Sequence, residues 1–508
     1  MSTNRVITAP NGRQLRADSM DRFGDDLCEL VLSFMEQNED IRSYDYFKDP
    51  KPCLECVSKH WQRLIFNKKY EFTINFMCEE FLRYKSDISI GGHRQEDLDQ
   101  LKIFLKKCHN IRHLCLSHWF TNSYVFYIKE SLIEVIAEHC QRLNALTING
   151  LDLTSEAMTV FGQRLGPKLK VISFSFIRNS QELLSYCLNI ETLNSSSFTI
   201  SHLCEQYLPK LKSLKISITD FKDISLLPQF YLKYGKHLKS FEVEINNYDI
   251  ENEELSQLFN GIHTLQEIID LKITFNYRCN NQINVDKQLR EMSKNCRKLK
   301  KFVIYCVRPH RIELEGNIFA SLSTIDSLKT LLLSCIMADT EQSIADMGLK
   351  KNIKYLKMGV VSMAEEMFAN ISQFVPNLKT FVLFTKQHLS DTILQLLSGL
   401  KLLQRICIYK IRSEESDNKC SKFITDSGIN QLLDNCKQIR RIELFIRMSI
   451  TEKTIEKLIS IANQRPKKVI EFYPLDKNND LNHIHIENID NITENLEIIL
   501  IMFTVLQI

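Results

Sequence analysis

The chain has 508 residues, 44% apolar and 25% charged, an ordinary composition with ample length for a sizeable core. Lysine and arginine exceed aspartate and glutamate only by 65 to 62, so overall charge makes no case for nucleic acid or an anionic membrane as partner. Fourteen glycines, with no G-x-G-x-x-G or Walker loop among them, argue against nucleotide-dependent chemistry.

Met1–Ser19 is polar and unpatterned, contains Pro10 and Gly12, and reads as a disordered tail. It lacks the apolar core of a signal peptide. FGDDLCELVLSFM (Phe23–Met35) follows, with Leu27, Leu30, Val31 and Phe34 on one helical stripe and Asp25 and Asp26 at its favourable N-terminal end. A polar stretch with two prolines, Glu36–Pro52, reads as a loop. LECVSKHWQRLIF (Leu54–Phe66) then puts Leu54, Val57, Trp61, Leu64 and Ile65 on a second stripe. Two short helices with broad apolar faces cannot bury those faces against each other alone, so they need another surface. Residues 69–107 read as a transition segment.

From residue 108 onward one phrase recurs: an apolar residue, two free positions, an apolar residue, one free position, an apolar residue. It appears as NIRHLCL (Asn110–Leu116), RLNALTI (Arg142–Ile148), KLKSLKI (Lys210–Ile216), SLKTLLL (Ser327–Leu333), NLKTFVL (Asn377–Leu383) and CKQIRRIEL (Cys436–Leu444). About thirteen copies recur at a mean spacing of roughly 27 residues, the period of leucine-rich repeats. In x-L-x-L-x the apolar side chains of a strand point one way and the free ones the other. One such strand cannot bury its apolar face alone; stacked copies with returning helices can. The predicted fold is therefore α/β: a repeat solenoid, a horseshoe with a parallel sheet on its concave face and helices on its convex face.

Cys108, Cys140, Cys187, Cys296 and Cys436 recur just ahead of the phrase and read as small buried packers at helix ends. The sixteen cysteines suit reduced thiols in a cytoplasmic or nuclear protein. Thr425, Ser155 and Thr451 are candidate helix caps. The spacing widens at NYRCNNQIN and RSEESDNKCS, which read as exposed loops, and ENLEIILIMFTVLQI at the end reads as a strand or helix closing the core.

The helical pair at residues 20–68 resembles an F-box. Val57, Ser58, Lys59 and Trp61 match its Val-Ser-Lys-x-Trp half, and Leu27, Leu30 and Ser33–Met35 match its first half. Phe23 and Gly24 stand where the family usually has Leu-Pro, and a long insertion separates the halves. ITDSGINQLLDNCKQIRRIEL (Ile424–Leu444) resembles the cysteine-containing leucine-rich repeat found behind many F-boxes. The resemblance implies an F-box at 20–68 and a solenoid of about 13–14 repeats over 108–508. It also implies the substrate-recognition subunit of a cullin-type ubiquitin ligase. In that reading Phe23, Leu27, Leu30, Val31, Phe34, Val57, Trp61 and Leu64 bind the Skp-family adaptor, and through it cullin, while the repeats hold a protein target. The alternative is an interaction scaffold with a degenerate F-box and no ligase.

On the concave face the free positions of three late repeats are Thr380, Val382 and Phe384; Arg405, Cys407 and Tyr409; and Arg441, Glu443 and Phe445. Phe384, Tyr409 and Phe445 should stand side by side, about 5 Å apart per strand, with Arg405 and Arg441 beside them. This is the composition of an interface anchor; the equally open reading is that these aromatics pack over the solenoid edge. A basic residue precedes many strands (Lys170, Lys212, Lys239, Lys300, Lys329, Lys354, Lys379, Arg440), either as a solvated strand start or as a groove for an acidic or phosphorylated segment. Cys53-x-x-Cys56 with His60, and His483-x-His485, lack the second ligand pair a metal site needs. No nucleophile–base or paired-carboxylate motif is legible, so neither an enzyme nor a cofactor is expected.

Overall fold

The computed structural model describes residues 6–8, 14–16, 71–76, 95–107, 110–118, 126–175, 181–196, 198–246, 257–276, 281–306, 312–315, 321–322, 324–337, 352–360, 365–385, 389–410, 423–446, 448–449, 451–463 and 471–474. The helices expected at Phe23–Met35 and Leu54–Phe66, with every proposed adaptor-binding residue, lie outside the described residues. So do Cys108, RSEESDNKCS, both histidine–cysteine candidates for metal and the apolar C-terminus.

The chain forms two compact units, Met1–Ile216 and Ser217–Ile508. In the first, β1 (Val6–Thr8) and β2 (Gln14–Arg16) pair antiparallel with Ile7 opposite Leu15, inside the span expected as a disordered tail. Next come β3 (Glu71–Phe76), β4 (His113–His118), β5 (Phe126–Ile128), β6 (Ala145–Asn149), β7 (Leu151–Leu153), β8 (Val171–Ser175), β9 (Thr192–Ser195) and β10 (Ser213–Ile218). The main ladder runs β3–β4–β6–β8–β9–β10, all parallel, and β5–β7 form a short second ladder. Parallel neighbours need a long crossover, and helices such as Glu130–His139 and Ser155–Arg164 provide it. The segment expected as a transition supplies β3, the ladder's first strand.

The second unit carries β11 (Ser240–Ile245), β12 (Asp270–Phe275), β13 (Asn281–Asn284), β14 (Lys301–Cys306), β15 (Ile312–Glu315), β16 (Thr330–Met337), β17 (Tyr355–Val360), β18 (Thr380–Thr385), β19 (Arg405–Lys410), β20 (Ile424–Thr425), β21 (Arg441–Phe445), β22 (Met448–Ser449) and β23 (Glu471–Pro474). Its main ladder is β11–β12–β14–β16–β17–β18–β19–β21–β23, again parallel. The register places like positions of the repeated phrase opposite one another. Leu271, Phe302, Leu331, Leu356, Phe381, Ile406 and Ile442 form one buried column. Each such side chain contributes about 1.5–3 kcal/mol of burial. The helical side closes the core: Phe230 and Tyr231 of helix Phe221–Tyr234 pack on Phe241, at 5.5 and 5.8 Å between ring centres. The long parallel sheet is consistent with a solenoid.

Two expectations need correction. Part of NYRCNNQIN is not a loop, because β13 pairs in parallel with β15; a ladder needs only backbone groups, which a polar sequence supplies equally well. The cap of helix Ser155–Arg164 is Thr154, whose Oγ1 accepts from Ala157 N at 3.1 Å. Ser155 is already the first helical residue, so its side chain is one position too late.

Thr425 and Thr451 are local caps, and they also lock successive repeats together. The Asp391 carboxylate accepts from Thr425 N at 2.7 Å and from its hydroxyl. Asp426 accepts from Thr451 N and Oγ1 at 2.9 and 2.7 Å, and from the Thr454 hydroxyl. Glu365 accepts from Ser390 N and Oγ at 3.0 and 2.6 Å. In these three successive pairs an acidic side chain of one repeat thus fixes the start of the next helix.

Cys140, Cys296 and Cys436 terminate their helices, and all three are buried, as is Cys187. Their role goes beyond small size. The Cys436 thiol lies 3.3, 3.6 and 3.8 Å from the Leu400, Ser398 and Leu397 carbonyls, so it packs its polar edge against the backbone turn that ends the preceding helix. Burial pushes the thiols of Cys140, Cys187 and Cys296 up to about 12 and that of Cys436 to about 11, which keeps them protonated at neutral pH.

Candidate functional site

Strand alternation sends every second residue of β17, β18, β19 and β21 away from the buried column. Registration then assembles those residues into rows. One row runs Leu332, Lys357, Val382, Cys407, Glu443, and the next runs Gly359, Phe384, Tyr409, Phe445. Phe384 and Tyr409 stack with ring centres 4.9 Å apart and planes 12° apart. From the strand on the other side, Lys357 Nζ stands 4.7 Å from the Phe384 ring centre and 5.2 Å from that of Tyr305. These are cation–π distances, and burial holds the Lys357 ammonium below the usual lysine range.

The anchor of the cluster is Glu443. Its side chain is only 4% exposed, and a carboxylate buried that deeply needs partners. It accepts from Arg405 Nη2 at 2.8 Å, from the Arg441 guanidinium and from the Tyr409 hydroxyl. Burial pushes the Glu443 carboxyl up, but the Tyr409 and Arg441 hydrogen bonds outweigh it and leave the group below the ordinary carboxylate range. Tyr409 moves the opposite way, raised by burial and by its bond to Glu443, so it stays protonated. Arg405 Nε also donates to Cys407 Sγ at 3.1 Å, and burial lifts that thiol to about 11.

The structure therefore brings Phe384, Tyr409, Arg405 and Arg441 together and sets Phe445 in register with Tyr409. The free positions are not uniformly exposed: Val382, Cys407 and Glu443 are only 6, 0 and 3% exposed. Longer neighbours on the same face cover them. Lys357 and Tyr305 were absent from the expected set, although aligning the repeats column by column puts Lys357 beside Val382. Chemically the cluster offers fixed guanidinium donors, half-exposed at 41 and 36%, beside a rigid aromatic pair. Rigid aromatics with arginines are the residue types that anchor interfaces.

The basic residues before the strands form a second feature. Lys329 N bonds Lys300 O, Lys354 N bonds Lys329 O, and Lys379 N bonds Lys354 O, each at 2.8 Å. All four side chains are exposed. In the first unit Lys170 and Lys212 hold equivalent positions, with Glu191 between them at 3.5 and 2.6 Å.

Among the described residues, no group of three or more His, Cys, Asp or Glu could hold a metal ion, and no helix is long and apolar enough to cross a membrane. No protein-family model matches the chain, and no curated protein matches it. Among solved structures, it is similar to the crystal structure of the Rad7 and Elc1 complex of yeast, at 14% identity over 84% of this chain and 95% of that one, with a TM-score of 0.31. It is also similar to the structure of the Toll–Spatzle complex of Drosophila, at 11% identity over 80% of this chain and 54% of that one, with a TM-score of 0.38. Both likenesses are loose.

Proposed function

We propose that the chain is the substrate-recognition subunit of a cullin-type ubiquitin ligase: residues 20–68 dock on a Skp-family adaptor and the repeats hold a target protein. The observation that carries this reading is the Val57-Ser58-Lys59-x-Trp61 motif with its companion stripe Leu27, Leu30, Val31, Phe34, set directly ahead of the repeat array. The rigid Phe384–Tyr409–Arg405–Arg441 cluster supports the second half, since it has the make-up of a protein-binding surface. The chain then works by proximity. It raises the effective concentration of target lysines near a ubiquitin-loaded enzyme recruited by other subunits and forms no covalent bond itself.

The test is co-purification of the wild-type chain and of Trp61→Ala with the adaptor. Trp61→Ala is expected to cost on the order of 2–4 kcal/mol of adaptor binding, as a hot-spot aromatic does. Stoichiometric adaptor with the wild type and none with the variant supports the reading. A wild-type chain that never retains adaptor sinks it and leaves an interaction scaffold, the reading that Phe23-Gly24 in place of Leu-Pro favours.

A further inference from the structure

The four lysines just ahead of β14, β16, β17 and β18 stand in one row with no acidic side chain paired to them among the described residues. Lys300, Lys329, Lys354 and Lys379 are consecutive in the ladder, exposed, and without an ion pair among the described residues. Strand spacing puts neighbouring lysine backbones about 4.8 Å apart, so the row spans about 14 Å. Like charges this close repel one another, an arrangement that a bound counter-charge would relieve. The fold does not require it: the same position in the first unit alternates as Lys170, Glu191, Lys212 and closes on itself through two ion pairs.

We infer that this lysine row is a docking rail for an acidic peptide segment of a protein partner, read by its carboxylates. The inference rests on the proposed function and names the chemistry of the target that the repeats hold. An extended segment advances about 3.3 Å per residue, so four or five residues cover the rail. The charge is strung along a line rather than converging on one point, which suits single carboxylates in series better than one concentrated phosphoryl group. Nucleic acid fits less well. Base stacking needs a free ring face, and Phe384 has Tyr409 on one side and Lys357 on the other. At its far end the ladder continues through Gln404 to Arg440, and the next position on those strands brings Arg405 and Arg441. The rail therefore leads toward the aromatic cluster.

The probe is a fluorescent peptide of alternating glutamate and glycine with one phenylalanine, titrated against the full chain by anisotropy. A glutamine version of the peptide and a single-stranded oligonucleotide serve as comparisons. The glutamate peptide should bind at least about tenfold tighter than the glutamine one, with affinity falling as salt is raised. Lys329→Glu with Lys354→Glu should abolish that preference and create one for a lysine peptide, a gain that a misfolded chain cannot show. Lys212→Glu should leave binding unchanged. Equal binding of the glutamate and glutamine peptides, a double variant that keeps its preference, or an oligonucleotide that binds more tightly than the peptide overturns the inference. Adaptor co-purification is read separately: a chain that retains adaptor but ignores the peptide refutes only the rail, and one that binds peptide but never adaptor refutes only the ligase reading.

Discussion

The two units carry the same repeated phrase and put different things on its outward positions. In the first, several of those positions pair polar side chains with one another: His113 with Thr147 at 2.9 Å, and Ser175 with Asn149 at 3.1 Å. Lys170 and Lys212, ahead of its strands, are tied to Glu191. In the second, the equivalent rows hold Lys357, Phe384, Tyr409, Arg405 and Arg441 around a buried Glu443, beside an open lysine row. Buried columns decide that a ladder forms, and the rows facing away from them are free to differ. On the proposed reading, the second unit, with its aromatic and guanidinium cluster, is the candidate recognising region.

If that division is right, emptying a buried column should hurt both units alike. Phe174→Ala removes a ring that packs between Phe161 and Phe198 in the first unit. Phe241→Ala removes one that packs on Phe230 and Tyr231 in the second. Each is expected to cost about 3–5 kcal/mol, the usual price of a large cavity. Denaturant unfolding measures both, and a cost confined to one unit would break the equivalence of their cores.

Carboxylates on the outward rows should separate the units instead. Glu443→Ala leaves two guanidiniums and a hydroxyl without their shared acceptor. The expected cost is about 2 kcal/mol, less than for a fully buried pair because Arg405 and Arg441 keep contact with water. Glu191→Ala, at a part-exposed position whose two lysine partners are themselves exposed, should leave the melting temperature unchanged. Acid tests the Glu443 cluster directly. The Glu443 carboxyl lies below its ordinary range in the folded chain, so its contribution is complete above the ordinary carboxylate pKa and is lost as pH falls through the depressed value. Asp426 behaves likewise: burial pushes it up, but hydrogen bonds from Thr451 and Thr454 pull it lower. Near pH 4 and below, stability measured on Glu443→Gln should fall less steeply than on the wild type; parallel curves would remove Glu443 from the explanation.

The ladder was largely legible from the repeated phrase. Phrases such as Ser327–Leu333, Asn377–Leu383 and Cys436–Leu444 became β16, β18 and β21, because the spacing of buried residues is itself the constraint that stacks repeats. Strands β3 and β13 escape the phrase for different reasons: β3 alternates Phe72, Ile74 and Phe76 but has Lys69 where the phrase needs its first apolar residue, whereas β13 is polar and pairs through backbone groups alone. The adjacency of Phe384 and Tyr409 followed from counting within strands. The burial of Glu443 did not, since it depends on long side chains from β19 reaching across to β21. A rule that free positions face water holds only where neighbours are short, as in the first unit.

The smallest expected effect concerns how repeats are clipped together. In the first unit Thr154 caps its own helix, so Thr154→Ala should cost about 1 kcal/mol and no more. In the second, the cap at Thr425 is also held by Asp391 of the preceding repeat, and Gly428 makes room for that carboxylate. A Cβ on Gly428 would lie 2.4 Å from Asp391 Oδ1. Gly428→Ala gains helix propensity of up to about 1 kcal/mol but crowds the Asp391 carboxylate, which must give up one of its two charged hydrogen bonds to Thr425, about 1.5–3 kcal/mol. The net expectation is a modest loss of about 0.5–2 kcal/mol. Combining Gly428→Ala with Asp391→Ala should recover stability relative to Asp391→Ala alone, because the alanine methyl then fills vacated space and keeps the propensity gain. Equal unfolding midpoints for Asp391→Ala with and without Gly428→Ala would show that the glycine is there for some reason other than this clip.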